Sequence, residues 1–183
     1  MTNQLDKVNF KNINNEFEFY SIIEELINNE TVRKMKNFKQ HYDTSTYDHC
    51  LNVAYLNYTI CKKLKLDYKS ATRAAILHDL FLYDWRNSKK LLNLEKSHAF
   101  IHPKIALENA SKLFTLNEKE KDIILKHMWP VTLSLPKYKE SYIITFTDKF
   151  SAIKETYDFY NKLLKRNKIY KYAYVIFCLL IML

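Results

Sequence analysis

The chain has 183 residues, 48% hydrophobic and 27% charged, which is the composition of one globular domain with a substantial core. It contains no glycine, which excludes Gly-rich phosphate loops and predicts Asn or Asp wherever a turn needs positive φ. The formal net charge of +9 would suit an anionic partner, but the lysines are scattered, which favours a solvated surface over nucleic-acid binding.

Apolar residues recur at helical spacing along most of the chain and predict an all-α, bundle-like domain. In chain order, helices are predicted over residues 15–29, 30–38, 45–66, 67–82, 101–114, 116–130 and 139–164. Thr44, Ser45 or Thr46 is expected to cap the third helix, and Asn117 with Glu120 forms an N-cap signature for the sixth. No segment shows convincing strand alternation.

Proline and polar residues mark the interruptions between these helices. The polar residues 86–100 are expected to be irregular, and Pro103 suits the first turn of the fifth helix, with His102 at or just before its start. Pro130 is expected to end the sixth helix.

The organisation predicted for the whole chain has three parts. Residues 1–40 form N-terminal helices, residues 41–165 form the core, and residues 166–183 form an apolar tail. The apolar run 172–183 is shorter than the span of about 20 residues that crosses a bilayer, so no transmembrane segment is expected. We expect the tail to pack on the body of the protein or to form a homo-oligomer contact, rather than to act as a peripheral membrane anchor.

The cysteines and the N-terminus bear on location. Cys50, Cys61 and Cys178 are odd in number and lack zinc-site spacing, which argues against a disulfide framework and fits a reducing compartment. The first ten residues lack the apolar region of a signal peptide. A cytoplasmic protein is therefore expected.

Hydrophilic side chains interrupt several apolar helix faces. His49, for example, lies four residues before Val53 and seven before Leu56, which places it on a buried face. Six such residues occur: His49, His78, Asp79, His102, His127 and Asp148. Singly, each would be read as a core polar group with a hydrogen-bonding partner. Together, they are buried most economically as one shared cluster.

Imidazole nitrogens and carboxylate oxygens around one point suit Zn, Mn or Fe, and the lack of a thiolate argues against structural zinc. Neighbouring helix residues point about 100° apart, so His78 and Asp79 reach one ion from two directions or let Asp79 lean towards a second. His49 and Asp148 complete a four-residue site. His102 and His127 then look like ligands of a second ion.

Five local segments carry a family resemblance: "HCLNVAYL", "AAILHDL", "IHPKIALENA", "IILKHMWP" and "FTDK". In this order they resemble the HD-domain superfamily of metal-dependent phosphohydrolases, over residues 41–155. The interposed His102 and His127 are similar to the dinuclear branch, which includes symmetrical dinucleoside tetraphosphate hydrolases and cyclic-dinucleotide phosphodiesterases. The full GYP signature of the latter is absent, which argues against that activity.

The resemblance implies hydrolysis of a small phosphate ester or anhydride, such as a nucleotide or dinucleotide, by attack of a metal-bound hydroxide. It implies two divalent transition-metal ions, chosen from Mn, Fe, Co, Ni and Zn. Asp79 would bridge the two ions and orient the hydroxide. His49, His78, His102, His127 and Asp148 would be the remaining ligands.

Five other residues are candidates for substrate contacts or catalysis. Lys149, beside Asp148, is the best candidate to contact a phosphate, with Arg73 a weaker one. His98 would stand at the pocket mouth and give a proton to the leaving group, with His41 in a similar position. Trp85 would stack on a base. For each of them, a surface or core position with no functional role is the competing interpretation.

Two other functions stay open at this stage. A di-iron oxygenase on the same scaffold would use the same ligands, so the sequence separates it poorly from a hydrolase. A non-enzymatic metal-bound sensor or binding module would use the apolar tail as its interaction surface.

Overall fold

Helices make up nearly all the regular structure of residues 13–87 and 97–166, the parts of the chain that the computed structural model describes. The elements are α1 (Ile13–Asn28), α2 (Glu30–Arg33), β1 (Lys39–His41), β2 (Thr44–Ser45), α3 (Thr46–Lys63), α4 (Tyr68–Leu77), α5 (His98–Leu113), α6 (Glu118–Lys126) and α7 (Lys139–Arg166). Short 3₁₀ turns at Lys34–Asn37 and Trp85–Asn87 complete them. The predicted all-α class is confirmed.

The predicted helix caps are present at the starts of α3 and α6. The Ser45 side chain accepts a hydrogen bond from the Asp48 backbone N–H, so Ser45 is the N-cap of α3. At α6, Asn117 and Glu120 form a reciprocal capping box. These bonds satisfy backbone donors that a helix cannot pair by itself.

The core forms where α3 packs against α4 and α7, while α4 also packs against α1 and α6. Fully buried side chains from each of these helices meet there, including Phe19, Val53, Leu77, Ile123 and Ile144. The apolar faces that the helical spacing predicted therefore surround α4, whose C-terminal end points into the middle of the protein.

The only strands in the described residues are β1 and β2, which pair antiparallel. Tyr42 turns between them with φ of 46°, and Lys65 also has positive φ, at 56°. The expectation that such turns use Asn or Asp is therefore wrong. A side chain in this region costs about 1–2 kcal/mol, and at Tyr42 it is offset by stacking on Phe159, with ring centroids 4.4 Å apart.

Three predicted helix boundaries are also wrong. The sixth helix ends at Lys126, four residues before Pro130, which was expected to end it. The fourth helix ends at Leu77 instead of continuing to Leu82, so His78 is its C-cap and Asp79 lies in the following turn. The fifth begins at His98, five residues before Pro103, which lies inside it. The early start brings the His98 ring over that of His102 one turn later, with centroids 4.5 Å apart.

Several sequence-based expectations fall on residues outside the described ranges. These are residues 1–12 of the N-terminal part, residues 88–96 of the polar segment, Cys178, and the tail beyond Arg166. Cys50 and Cys61 are buried free thiols. None of the helices in the described residues is long and apolar enough to span a bilayer.

Candidate metal centre

Five helices deliver the six predicted metal-ligating residues to one buried cluster. His49 comes from the first turn of α3, and His78 and Asp79 from the end of α4. The other three are His102 on α5, His127 at the C-cap of α6, and Asp148 in α7. All are buried except Asp148, whose side chain is 13% exposed and marks the more open side of the cluster.

Backbone carbonyls orient three of the imidazole rings. In each case Nδ1 lies within hydrogen-bond distance of a carbonyl three or four residues earlier: Ala75 for His78 (2.8 Å), Ile124 for His127 (2.8 Å) and His98 for His102 (2.9 Å). A carbonyl only accepts, so each Nδ1 carries the proton. The Nε2 lone pairs are therefore left to face the cluster, as metal-bound histidines require.

His49 is oriented by a carboxylate instead. Its Nδ1–H donates to Glu155, whose Oε2 lies 3.0 Å away, and its Nε2 lies 3.0 Å from Oδ1 of Asp148. Burial opposes protonation of this ring, but its hydrogen bonds with the two carboxylates raise its pKa to about 10. The two carboxylates create a negative potential that favours protonation of the ring, and the same potential would favour a metal cation at Nε2.

The two oxygens of Asp79 face two different sets of histidines. Oδ2 lies 3.5 Å from Nε2 of His78, whereas Oδ1 lies 3.2 Å from Nε2 of His102 and 3.6 Å from Nε2 of His127. The Gln40 side-chain amide donates to Oδ2 at 2.6 Å. Asp79 therefore stands between a His78 side and a His102–His127 side.

The contacts within the cluster indicate that its nitrogen and oxygen atoms could bind divalent cations. Nε2 of His78 and Oδ1 of Asp79 are buried without a hydrogen-bond partner. Nε2 of His102 and Nε2 of His127 face each other at 2.8 Å, although both rings carry their proton on Nδ1. Two lone pairs at that distance repel unless positive charge lies beside them. Ligands at right angles, about 2.1 Å from one cation, would be about 3 Å apart, which is close to these separations.

Burial and the neighbouring charged groups together set the charge states of the cluster. It lowers the pKa of His127 to about 3, assisted by the nearby His102 and His78, so this ring is neutral and able to ligate. Burial acts to raise the pKa of Asp79, but His78 and His102 outweigh it and hold this pKa well below its usual range. Neutral imidazoles and ionised carboxylates are the forms that bind metal.

The family comparison agrees with this arrangement. The family model of the HD domain matches residues 46–153, more than half of the chain and the span from α3 into α7. The chain belongs to the HD domain family. No curated protein and no solved structure matches it. HD domains bind divalent metal ions, and the buried histidine and carboxylate groups could hold one here.

Two polar residues of this HD domain's cluster were not found from the sequence. Glu155 lies seven residues, or two turns, after Asp148, so the face that it shares with Asp148 was a usable signal. Gln40 gave no signal, because it precedes its partner Asp79 by 39 residues and lies in a three-residue strand. Thr46 donates to the Gln40 side-chain oxygen at 3.3 Å, which points the amide nitrogen at Asp79.

Glu155 provides a test of how the His49 ring is held. Glu155→Gln is expected to weaken metal binding by about 10-fold to 100-fold, because the ring loses the carboxylate that fixes its orientation and raises its basicity. Competition with a metal-binding dye would measure the affinity. Glu108→Gln, at an exposed residue of α5 whose carboxylate pairs with Lys112 at 2.7 Å, is the matched control. Equal affinities for the two variants would contradict the role of Glu155.

Three of the other predicted residues border the cluster. The His41 ring packs edge-on against His49, with centroids 5.4 Å apart, and is half-buried. The His98 ring stacks between His102 and Trp85, whose centroids lie 4.5 Å and 5.6 Å from its own. Burial and the nearby His102 lower the pKa of His98 to about 4, so its ring is neutral at pH 7.

The two predicted cationic contacts differ in their surroundings. The Lys149 ammonium lies 3.4 Å from the His127 carbonyl and 3.3 Å from the Thr145 carbonyl, beside the cluster. The Arg73 guanidinium is held by two carboxylates, Glu120 at 2.9 Å and Glu25 at 3.1 Å. These two carboxylates pair with the Arg73 guanidinium, so Arg73 is not included among the proposed substrate-binding residues.

Proposed function

We propose that this HD domain is a phosphohydrolase that uses two divalent transition-metal ions bridged by Asp79. The observation that carries the proposal is the division of the Asp79 oxygens, with Oδ2 towards His78 and Oδ1 towards His102 and His127. His49, His78 and Asp148 would hold one ion together with Oδ2. His102 and His127 would hold the other together with Oδ1. The ions suited to these nitrogen and oxygen donors are Mn, Fe, Co, Ni and Zn.

When bound, the ions would neutralise charge on phosphoryl oxygens and lower the pKa of water towards neutrality. The chain's own groups supply orientation. Gln40 fixes the Asp79 carboxylate from one side, so its remaining lone pairs are available to the ions and to an attacking water. Lys149, half-buried beside His127, would add a positive charge for a phosphoryl oxygen.

The proposed substrate is a small phosphorylated molecule, and the surroundings favour a nucleotide. The rings of Phe81, Tyr83, Trp85 and His98 form an aromatic wall next to His102. Trp85 is half-buried in this wall, and it would stack on a base while the phosphates reach Asp79. His41 lies on the His49 side of the cluster, where it would contact the substrate.

Elemental analysis of protein purified without a metal-binding tag, after incubation with Mn and with Fe, tests the proposal first. We expect about two ions per chain, and hydrolysis of at least one compound in a panel of nucleotides, dinucleoside polyphosphates and phosphate esters. Hydrolysis under strict exclusion of air would distinguish the hydrolase from a di-iron oxygenase. One ion per chain would contradict the bridged pair, and no bound ion would contradict the enzyme itself.

A further inference from the structure

An apolar stripe runs along the outer face of α7. Its members have large side chains, each between 36% and 70% exposed: Phe146, Phe150, Ile153, Tyr157, Tyr160 and Leu164. The rings of Phe146 and Phe150 stack on each other, and the Tyr160 hydroxyl lies 3.2 Å from that of Tyr42. In the part of the chain that the structure describes, all six members stay at least 36% exposed, so together they form a long apolar surface.

The spacing along the stripe alternates between four and three residues, so that two members recur in every seven residues. This is the period of a seam at which one helix packs against another helix in a coiled coil. Asp148 and Glu155, the two carboxylates of α7 in the cluster, lie on the opposite face, because each comes two residues, about 200°, after a member of the stripe. The stripe is therefore separate from the metal centre.

We propose that the stripe binds the same stripe of a second copy of this chain, forming a two-fold helix pair. With about 200 Å² for a fully exposed side chain of this size, the exposed fractions amount to about 650 Å² per copy. Two copies would then bury about 1,300 Å², within the range of roughly 1,200–2,000 Å² typical of specific interfaces. A two-fold pair would place the same stripe of each copy in one shared interface.

The residues that flank the stripe permit this close approach. Thr156 and Asn161 are uncharged. Lys149 turns back towards backbone carbonyls, and the Lys154 ammonium pairs with Asp158 at 2.6 Å on its own helix. The charge of Lys154 beside the stripe is therefore already paired on its own helix when two copies of α7 meet.

Sedimentation equilibrium on the full chain tests the proposal. The wild type is expected at twice the monomer mass of 22.1 kDa at tens of micromolar. Ile153→Glu is expected to weaken self-association at least 100-fold, because it places like charges in the seam. Leu133→Glu, at a residue that is 92% exposed and lies outside α7, is the matched control and should remain dimeric. A monomeric wild type, or an Ile153→Glu variant that stays dimeric, would overturn the proposal.

A photo-cross-linking residue in place of Tyr157, in a mixture of ¹⁴N and ¹⁵N protein, identifies the occupant of the stripe. Cross-links from position 157 of one chain to residues 139–166 of a chain with the other isotope would support the helix pair. Links within one chain to residues 167–183 would overturn it, because the chain's own C-terminal segment would then cover the stripe. Metal content is measured in the same variants and is expected to be unchanged, so a failure here is distinguishable from a failure of the proposed function.

Discussion

Replacing Asp79 with asparagine is expected to reduce the bound metal from about two ions per chain to one or none, and kcat/KM by at least about 10³-fold. Asparagine keeps the size of the side chain, but it loses the charge and one of the two oxygens that face separate histidine sets. Loss of metal removes several kcal/mol of stabilisation of the charged transition state, and each 1.36 kcal/mol is a factor of ten in rate. Elemental analysis and steady-state kinetics measure the two effects.

The control for this substitution is Asp84→Asn. Asp84 is close in sequence, but among the described residues its carboxylate pairs with Arg86, at 3.0 Å, and its side chain is 38% exposed. Its metal content and activity should match those of the wild type. An Asp79→Asn variant that binds two ions and turns over normally would show that Asp79 does not bridge them.

Phe19→Ala is expected to lower the free energy of unfolding by about 3–5 kcal/mol, the range for a large aromatic side chain removed from a packed core. Phe19 is fully buried, and its ring meets those of Tyr55 and Tyr58 edge-on, at centroid distances of 5.5 Å and 5.6 Å. It joins α1, which precedes the matched residues 46–153, to α3. Urea unfolding followed by circular dichroism would measure the loss.

Phe17 offers a matched control two residues away on the same helix, because its side chain is 77% exposed. Phe17→Ala should change the free energy of unfolding by no more than about 0.5 kcal/mol. If Phe19→Ala behaved in the same way, α1 would not be part of the cooperative unit that holds α3 and the metal centre.

The helical spacing predicted the helices and the inward-facing histidines well, but it could not locate the end of α4. Leu80 and Phe81 are fully buried although they lie beyond the helix. The apolar pattern therefore continues past His78 and Asp79 because the next residues are buried, and not because they are helical. The helix ends at Leu77, and the imidazole of its C-cap, His78, donates to the Ala75 carbonyl, so the residue that caps the helix is also a candidate ligand.

Contacts between residues that are distant in sequence were the second feature that helical periodicity could not predict. The bond from Gln40 to Asp79 spans 39 residues, and the bond from His49 to Glu155 spans 106. Helical periodicity describes only neighbours within a few turns, so it supplied the six candidate ligands without showing what orients two of them. The first of these contacts also depends on the β1–β2 pair, which is too short to give a strand pattern.

The bonds from Nδ1 of His78, His102 and His127 to carbonyls three or four residues earlier mean that these ligand orientations are specified within single segments of four or five residues. Such a unit moves as a whole and needs no particular side chain elsewhere to aim it. The surrounding sequence is then free to diverge widely, even to a composition without glycine, while the three Nε2 atoms keep their directions. Because each of these segments orients its own histidine, the site requires only that the segments continue to pack beside one another.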